Sequence, residues 1–295
     1  MKDTVSERRD FLKSGALGLA GGALVAGAGM TLNVQQAAAQ ASADSVLRKV
    51  IDRGHLICGT GSTNAPWHFE DAAGNLTGMD IAMAKIIAKA LFEDDSKVEF
   101  VRQAPDARVP NIVTGKVDVC IQFMTVNGAR AQKVNFSRPY YVEAIALLTR
   151  PDGKIKTFDE LLAAGAAAKA SILTNAGADQ TVKRQLPDAE VLQLDEQANV
   201  IQALDSGRVD TAVVDLSTVW WLARQAPDKY ADAGHSFQPQ LYSAALPQGD
   251  LDWLSFVNTA FNVAMHGWDT EPYDIAFKEF FGQEPPKRAA GFPAF

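Results

Sequence analysis

Val117-Asp118-Val119-Cys120-Ile121-Gln122-Phe123-Met124-Thr125-Val126-Asn127-Gly128-Ala129-Arg130, running on to Val134-Asn135-Phe136-Ser137-Arg138-Pro139-Tyr140-Tyr141, decides how the rest of the chain is read. Val117, Val119, Cys120 and Ile121 form an apolar run of the kind that makes a strand buried in a parallel sheet. The run reaches Phe123, turns polar at Thr125 and Asn127, and passes a Gly128 turn before the lone Arg130. Ligands in open α/β sheets sit at the carboxyl ends of strands. A guanidinium fork takes a carboxylate with two parallel hydrogen bonds. The stretch therefore reads as a buried strand with an anion-binding edge. Taken alone, Arg130 reads as a solvated surface arginine, as most arginines are.

Upstream, His55–Thr60 is a strand with Leu56, Ile57 and Cys58 apolar, and Gly61–Trp67 is the loop leaving its carboxyl end. Asp71–Asn75 is a turn. Asp80 is placed as the N-cap of an amphipathic helix over Ile81–Phe92, whose Met83, Ile86, Ile87 and Ala90 face a core. Val98–Arg102 is a second strand and Asp106–Thr114 a helix with Pro110 near its start. Strands alternating with helices predict a parallel sheet covered on both faces.

Downstream, the apolar Ala144–Thr149 is broken by Arg150-Pro151-Asp152-Gly153, where a first crossing between domains is expected. Further helices and strands lead through Ser206-Gly207-Arg208-Val209-Asp210 into the apolar Thr211–Val214, which ends at Asp215. That lead-in repeats Thr114-Gly115-Lys116-Val117-Asp118, a pattern that loops from helix to strand share through their Gly C-caps. Leu241–Leu246 is expected as the return crossing, followed by helices over Leu251–Met265 and Tyr273–Phe281. The expected boundaries are 42–147 and 243–295 for a discontinuous first lobe and 148–242 for a second.

A chain of 295 residues allows two domains, and 47% hydrophobic with 21% charged residues is an ordinary globular mixture. A net charge of −7 excludes partners that need a basic face, such as nucleic acid. Two cysteines and four scattered histidines offer no metal-ligand cluster, and no cofactor is expected. The first 41 residues carry Arg8-Arg9 in a charged segment, an uncharged Ala/Gly/Leu segment to about Met30, and small residues at Ala37–Ala41. This is the layout of an export signal cleaved after Ala39 or Ala41. Its six glycines between Gly15 and Gly29 weaken the alternative, a retained membrane anchor. The paired arginines before Phe11-Leu12-Lys13 resemble a twin-arginine signal, with Glu7 where serine is usual.

Val117-Asp118-Val119, Met124-Thr125-Val126-Asn127 with Arg130, and Val134-Asn135-Phe136-Ser137-Arg138-Pro139-Tyr140-Tyr141 resemble, in order, the amino-acid-binding family of periplasmic solute-binding proteins. Gly59-Thr60 through Pro66-Trp67, Gly74–Asp80 and Arg108-Val109-Pro110 extend the resemblance across roughly Leu56 to Gly282. It implies an α/β fold of type II periplasmic-binding kind: two lobes, each a mainly parallel sheet flanked by helices, joined by a two-strand hinge. It also implies an exported, periplasmic monomer without catalytic residues. Such a protein captures an amino acid between its lobes and delivers it to the membrane permease of an ABC importer.

The resemblance assigns roles residue by residue. Arg130, Thr125 and the loop Ala176–Asp179, with Ala178, would hold the ligand carboxylate. Asp215 would hold the ammonium; at the end of a buried strand its charge demands a cationic partner. Arg108 would reach a side-chain carboxylate, which favours an acidic or polar ligand; otherwise it is structural within its lobe. Three departures matter. Ala176–Asp179 lacks the family's hydroxyls. Asn64 and Pro105 stand where aromatics clamp the ligand, leaving Phe123 and Trp67 to line the cleft. Gly61 stands where the acidic branch has a second arginine. If the strands of Cys58 and Cys120 are neighbours as in the family, both thiols are expected buried and free, because mid-sheet neighbours rarely meet disulfide geometry. The rival function is an enzyme resembling periplasmic cyclohexadienyl dehydratase, which would need a general acid in the cleft, with Glu143 and His68 as candidates.

Overall fold

A computed structural model describes residues 44–174, 177–285, 287–288 and 290–291. The expected export signal and Ala176 lie outside the described residues. No helix among the described residues is long and apolar enough to cross a membrane.

The first lobe opens with α1 (Val46–Arg53) and β1 (Leu56–Thr60), then a small antiparallel sheet of β2 (Thr63–Asn64), β3 (His68–Glu70) and β4 (Leu76–Thr77). It continues through α2 (Met79–Phe92), β5 (Val98–Arg102), a short α3 (Arg108–Val113), β6 (Val119–Cys120), α4 (Gly128–Ala131) and β7 (Asn135–Phe136). The second lobe holds β8 (Tyr141–Thr149), α5 (Phe158–Ala164), β9 (Lys169–Leu173), α6 (Ala178–Lys183), β10 (Glu190–Leu194), α7 (Gln197–Asp205), β11 (Thr211–Asp215), α8 (Leu216–Gln225) and β12 (Ala231–Tyr242). The chain then returns as β13 (Ala245–Leu246), α9 (Leu251–His266) and α10 (Glu271–Phe281).

Each lobe has a five-stranded sheet, ordered β5-β1-β6-β13-β7 and β10-β9-β11-β8-β12. The alternation rule holds for three strands of each: β5, β1 and β6 pair parallel, as do β10, β9 and β11. The other two strands of each sheet pair antiparallel, and among them are β8 and β13, which the chain enters directly after crossing between lobes. The first crossing lies earlier than expected. Tyr141–Thr149 pairs with β11 and β12, so the chain has changed lobe before Tyr141 rather than at Arg150. The apolar run misled because β8, buried between two strands, continues without a break up to Thr149. The two crossing segments hold each other: Tyr140 N–H donates to Tyr242 O at 2.9 Å and Ser137 N–H to Ala244 O at 2.9 Å.

α2 buries Met79, Met83 and Ile87 against Leu56, Trp253, Val257 and Phe261, with Ile86 also buried as expected, but Ala90 is exposed and Ala88 is buried instead. Each such side chain contributes about 1.5–3 kcal/mol when fully withdrawn from water. Asp80 is not its N-cap. The cap is Gly78 at φ 122°, where a Cβ would lie 2.3 Å from the Trp67 carbonyl oxygen. Only glycine fits that approach, which moves the cap two residues ahead of Asp80. β12 had no counterpart in the sequence reading. Gly234 and Pro239 hide it, and both are tolerated because β12 is an edge strand with register shifts. Cys58 and Cys120 are free and buried on the adjacent β1 and β6, and burial pushes both thiols up, Cys120 to about 12.

Candidate functional site

The loop after β6, α4 and the start of α3 bring Phe123, Thr125, Arg130 and Arg108 to one edge of the first lobe. Phe123 has φ 34°, a left-handed conformation unusual for an aromatic residue. Its N–H donates to Asp80 Oδ2 at 2.8 Å, and its ring lies under the Arg108 guanidinium at 5.5 Å. Arg108 is anchored by its own lobe: Nε donates to Pro105 O at 2.8 Å and Nη1 to Gln122 O at 3.1 Å. Arg130 Nη1 donates to Thr125 O at 2.7 Å. Among the described residues neither arginine forms an ion pair with a carboxylate. Burial lowers both pKa values, and the charge of Arg108 lowers that of Arg130 further. Two fixed cations pressing on each other make a place suited to an anion.

The facing groups come from the second lobe. Asp215 ends β11 and accepts from Tyr242 OH at 2.7 Å. Glu143, on β8, is 1% exposed. Its Oε1 accepts from Ala144 N–H at 2.9 Å and Ser217 N–H at 3.3 Å, and its Oε2 from the Ser217 hydroxyl. Burial and the neighbouring Asp215 push Glu143 up to about 8; burial pushes Asp215 up to about 6 against the Tyr242 hydrogen bond. Tyr242, which donates to Asp215, also interacts electrostatically with Arg108, Arg130 and Glu143.

The remaining expected residues are placed as follows. The Thr125 hydroxyl donates to Gln240 Oε1 at 2.8 Å, a bond from the first lobe to β12. Asn64 Nδ2 faces His68 Nε2 at 3.4 Å, while His68 Nδ1 faces Asp80 Oδ2 at 2.8 Å, so both ring nitrogens are engaged. Trp67 is 1% exposed, packs against Tyr141, Tyr242 and Phe281, and donates its indole N–H to Ser217 Oγ of the second lobe at 2.9 Å. Its sequence position on a ligand-facing loop gave no sign of this aromatic nest. The side chain of Ala178 is buried in the second-lobe core, so only its backbone could face a ligand. A Cβ on Gly61 would lie 2.5 Å from the His68 ring, which explains why no arginine stands there. Gln240, Tyr242 and Ser217 were missed by the sequence reading, the first two because the strand carrying them was.

A cavity of about 730 Å³ lies elsewhere, between α2 and α10, lined by Ile81, Lys85, Lys89, Ile275 and Glu279 among others. None of the residues above borders it, and its charged groups, Lys85, Lys89, Glu93, Asp94, Asp95, Glu271 and Glu279, belong to the first lobe alone.

Residues 56–267 match the bacterial extracellular solute-binding proteins, family 3. The chain belongs to this family. Among its relatives, the glutamine-binding protein GlnH of Bacillus subtilis is 26% identical over 72% of this chain and 76% of its own length. The L-cystine-binding protein TcyJ of Escherichia coli is 28% identical over 74% of this chain and 80% of its own. Among solved structures, the ancestral amino acid-binding protein AncCDT-1, a precursor of cyclohexadienyl dehydratase, has a TM-score of 0.68 at 30% identity, covering 80% of this chain and 100% of its own. The family and these structures carry the two-lobed periplasmic-binding architecture seen here, and the relatives named are binding proteins.

Proposed function

We propose that this family 3 protein captures an acidic or polar amino acid between its lobes, outside the cytoplasm, and delivers it to the permease of an ABC importer. The observation that carries the reading is the bipolar arrangement around Tyr242. Among the described residues, Arg108 and Arg130 on the first lobe form no ion pair with a carboxylate, and Asp215 and Glu143 on the second form none with a cation. An α-amino acid supplies the missing charges: its carboxylate for Arg130, its ammonium for Asp215. Arg108, held by two backbone carbonyls, keeps Nη2 for a side-chain carboxylate or amide. L-glutamate would satisfy both arginines. Relatives named as glutamine- and glutamate-binding proteins support that chemical range.

The enzymatic rival needs a proton donor facing the cleft. Glu143 has the raised pKa of such a donor, but it is buried and both its oxygens are engaged; His68 is fully buried with both nitrogens engaged. A thermal-shift screen of the full chain against the twenty amino acids tests the reading, since a ligand of the folded state raises its melting temperature. Glutamate or glutamine should give the largest shifts. No shift with any amino acid would overturn it.

A further inference from the structure

Glu143 and Asp215 are brought together by the sheet. β8 and β11 run antiparallel with Ile145 opposite Asp215. Glu143 lies two residues along β8 from Ile145, so the two carboxyls are diagonal neighbours on one face. Among the described residues, the groups in direct contact with Glu143 are neutral or acidic. β11 presents Asp215; β12 presents Tyr242 and the cross-strand partner Gln240. α8 presents the Ser217 hydroxyl and N–H, Trp67 reaches it only through that hydroxyl, and β8 itself adds Tyr141. Asp215 faces Tyr242, Tyr141 and Glu143. Two carboxyls in such a place cannot both ionise without a counter-cation.

We propose that Glu143 and Asp215 together hold one proton while the ammonium site is empty, and that the ammonium of an incoming amino acid displaces it, so that capture releases a proton. The proposal rests on the amino-acid reading above and adds a positioning residue to it: Glu143 acts through Asp215 and does not touch the ligand. In the empty site the proton moderates the repulsion between the two carboxyls. When –NH₃⁺ arrives beside Asp215, it supplies that charge instead, and the proton leaves to solvent. Proton and ammonium then compete. Burial and Asp215 hold Glu143 protonated up to about pH 8, so below that range falling pH weakens binding.

The test is titration calorimetry of the full chain with L-glutamate and L-glutamine at pH 7, in phosphate and in Tris, whose ionisation enthalpies differ. The expected result is a buffer-dependent enthalpy corresponding to release of roughly one proton per ligand, with affinity rising by up to about tenfold per pH unit from pH 6 to 8. In Glu143→Gln the release should vanish at pH 7 and the affinity should become nearly flat with pH. Binding with the same enthalpy in both buffers overturns the proposal and leaves the amino-acid reading standing, as does a Glu143→Gln variant that still releases the proton. If neither ligand gives heat and no amino acid raises the melting temperature, the reading itself fails and the proposal with it. If Glu143→Gln does not fold, the two-buffer comparison on the parent decides alone.

Discussion

Asp80, in the first lobe, and Glu143 with Asp215, in the second, are carboxyls drawn away from bulk water, yet their surroundings differ. Asp80 is 0% exposed and saturated with donors. Tyr140 OH donates to Oδ1 at 2.7 Å, and Phe123 N–H and the His68 ring each meet Oδ2 at 2.8 Å. It also lies in the first turn of α2, where the helix dipole favours a negative charge. Its partners come from three separate segments, so it fastens the first lobe together. The second-lobe carboxyls have donors too, but among the described residues no cation pairs with them, and they have one another's charge to contend with. A saturated carboxylate belongs to the fold; a pair left short of positive charge is prepared for something that brings it.

The contrast fails first if Asp80 is dispensable. Asp80→Ala leaves His68, Tyr140 and the Phe123 N–H without an acceptor in the core. It should cost at least about 3 kcal/mol of stability, since each buried donor left unsatisfied costs about 1–3 kcal/mol, measured by urea unfolding. A loss under about 1 kcal/mol would show that Asp80 fastens nothing.

Arg130→Ala should leave the urea midpoint nearly unchanged while costing about 2–5 kcal/mol in binding of L-glutamate, seen by calorimetry. A variant that binds as well as the parent would remove Arg130 from the site.

Arg108→Ala should weaken L-glutamate by about 1–3 kcal/mol relative to alanine, because only the acidic ligand loses a partner for its side chain. Equal losses for both ligands would make Arg108 a structural residue, held by Pro105 and Gln122 for the sake of the lobe.

Glu143→Gln has the smallest expected effect and the opposite sign. The ordinary value for a glutamate is 4.5, and in the folded protein burial and Asp215 raise Glu143 to about 8. Above pH 4.5 the folded state therefore binds more protons than the unfolded one, and Glu143 lowers stability progressively as pH rises towards 8. The variant lacks that penalty. It should melt about 2–4 °C above the parent at pH 8, the shift that ~1 kcal/mol produces in a chain of this size, with the gain gone near pH 5. A constant difference across that range would mean the carboxyl does not titrate there.

Much of this was legible in the residues. The apolar run before Phe123 and the strand ending at Asp215 were legible from polarity, while the proposed binding roles of Arg130 and Asp215 came from the family resemblance. Arg108 was legible as a cation but not as one anchored by two carbonyls, because those contacts depend on the loop geometry at Pro105 and Gln122. Asp80 looked like a helix cap, since nothing local shows that Gly78 must take the cap against the Trp67 carbonyl. Tyr242 and Gln240 were hidden because Pro239 and Gly234 obscure strand character that an edge position tolerates. Trp67 pointed towards a cleft from its loop, but its aromatic neighbours lie between 73 and 214 residues away along the chain. Contacts of that range leave no local pattern.

The central claim is that the edge between the lobes reads an ammonium and a carboxylate together. Calorimetric titration of the full chain with L-glutamate and with glutarate, the same dicarboxylate without the ammonium, tests it most directly. L-glutamate should bind, and glutarate should bind at least about thirtyfold more weakly, because Asp215 then lacks its counter-charge. Equal affinity for the two would contradict the account.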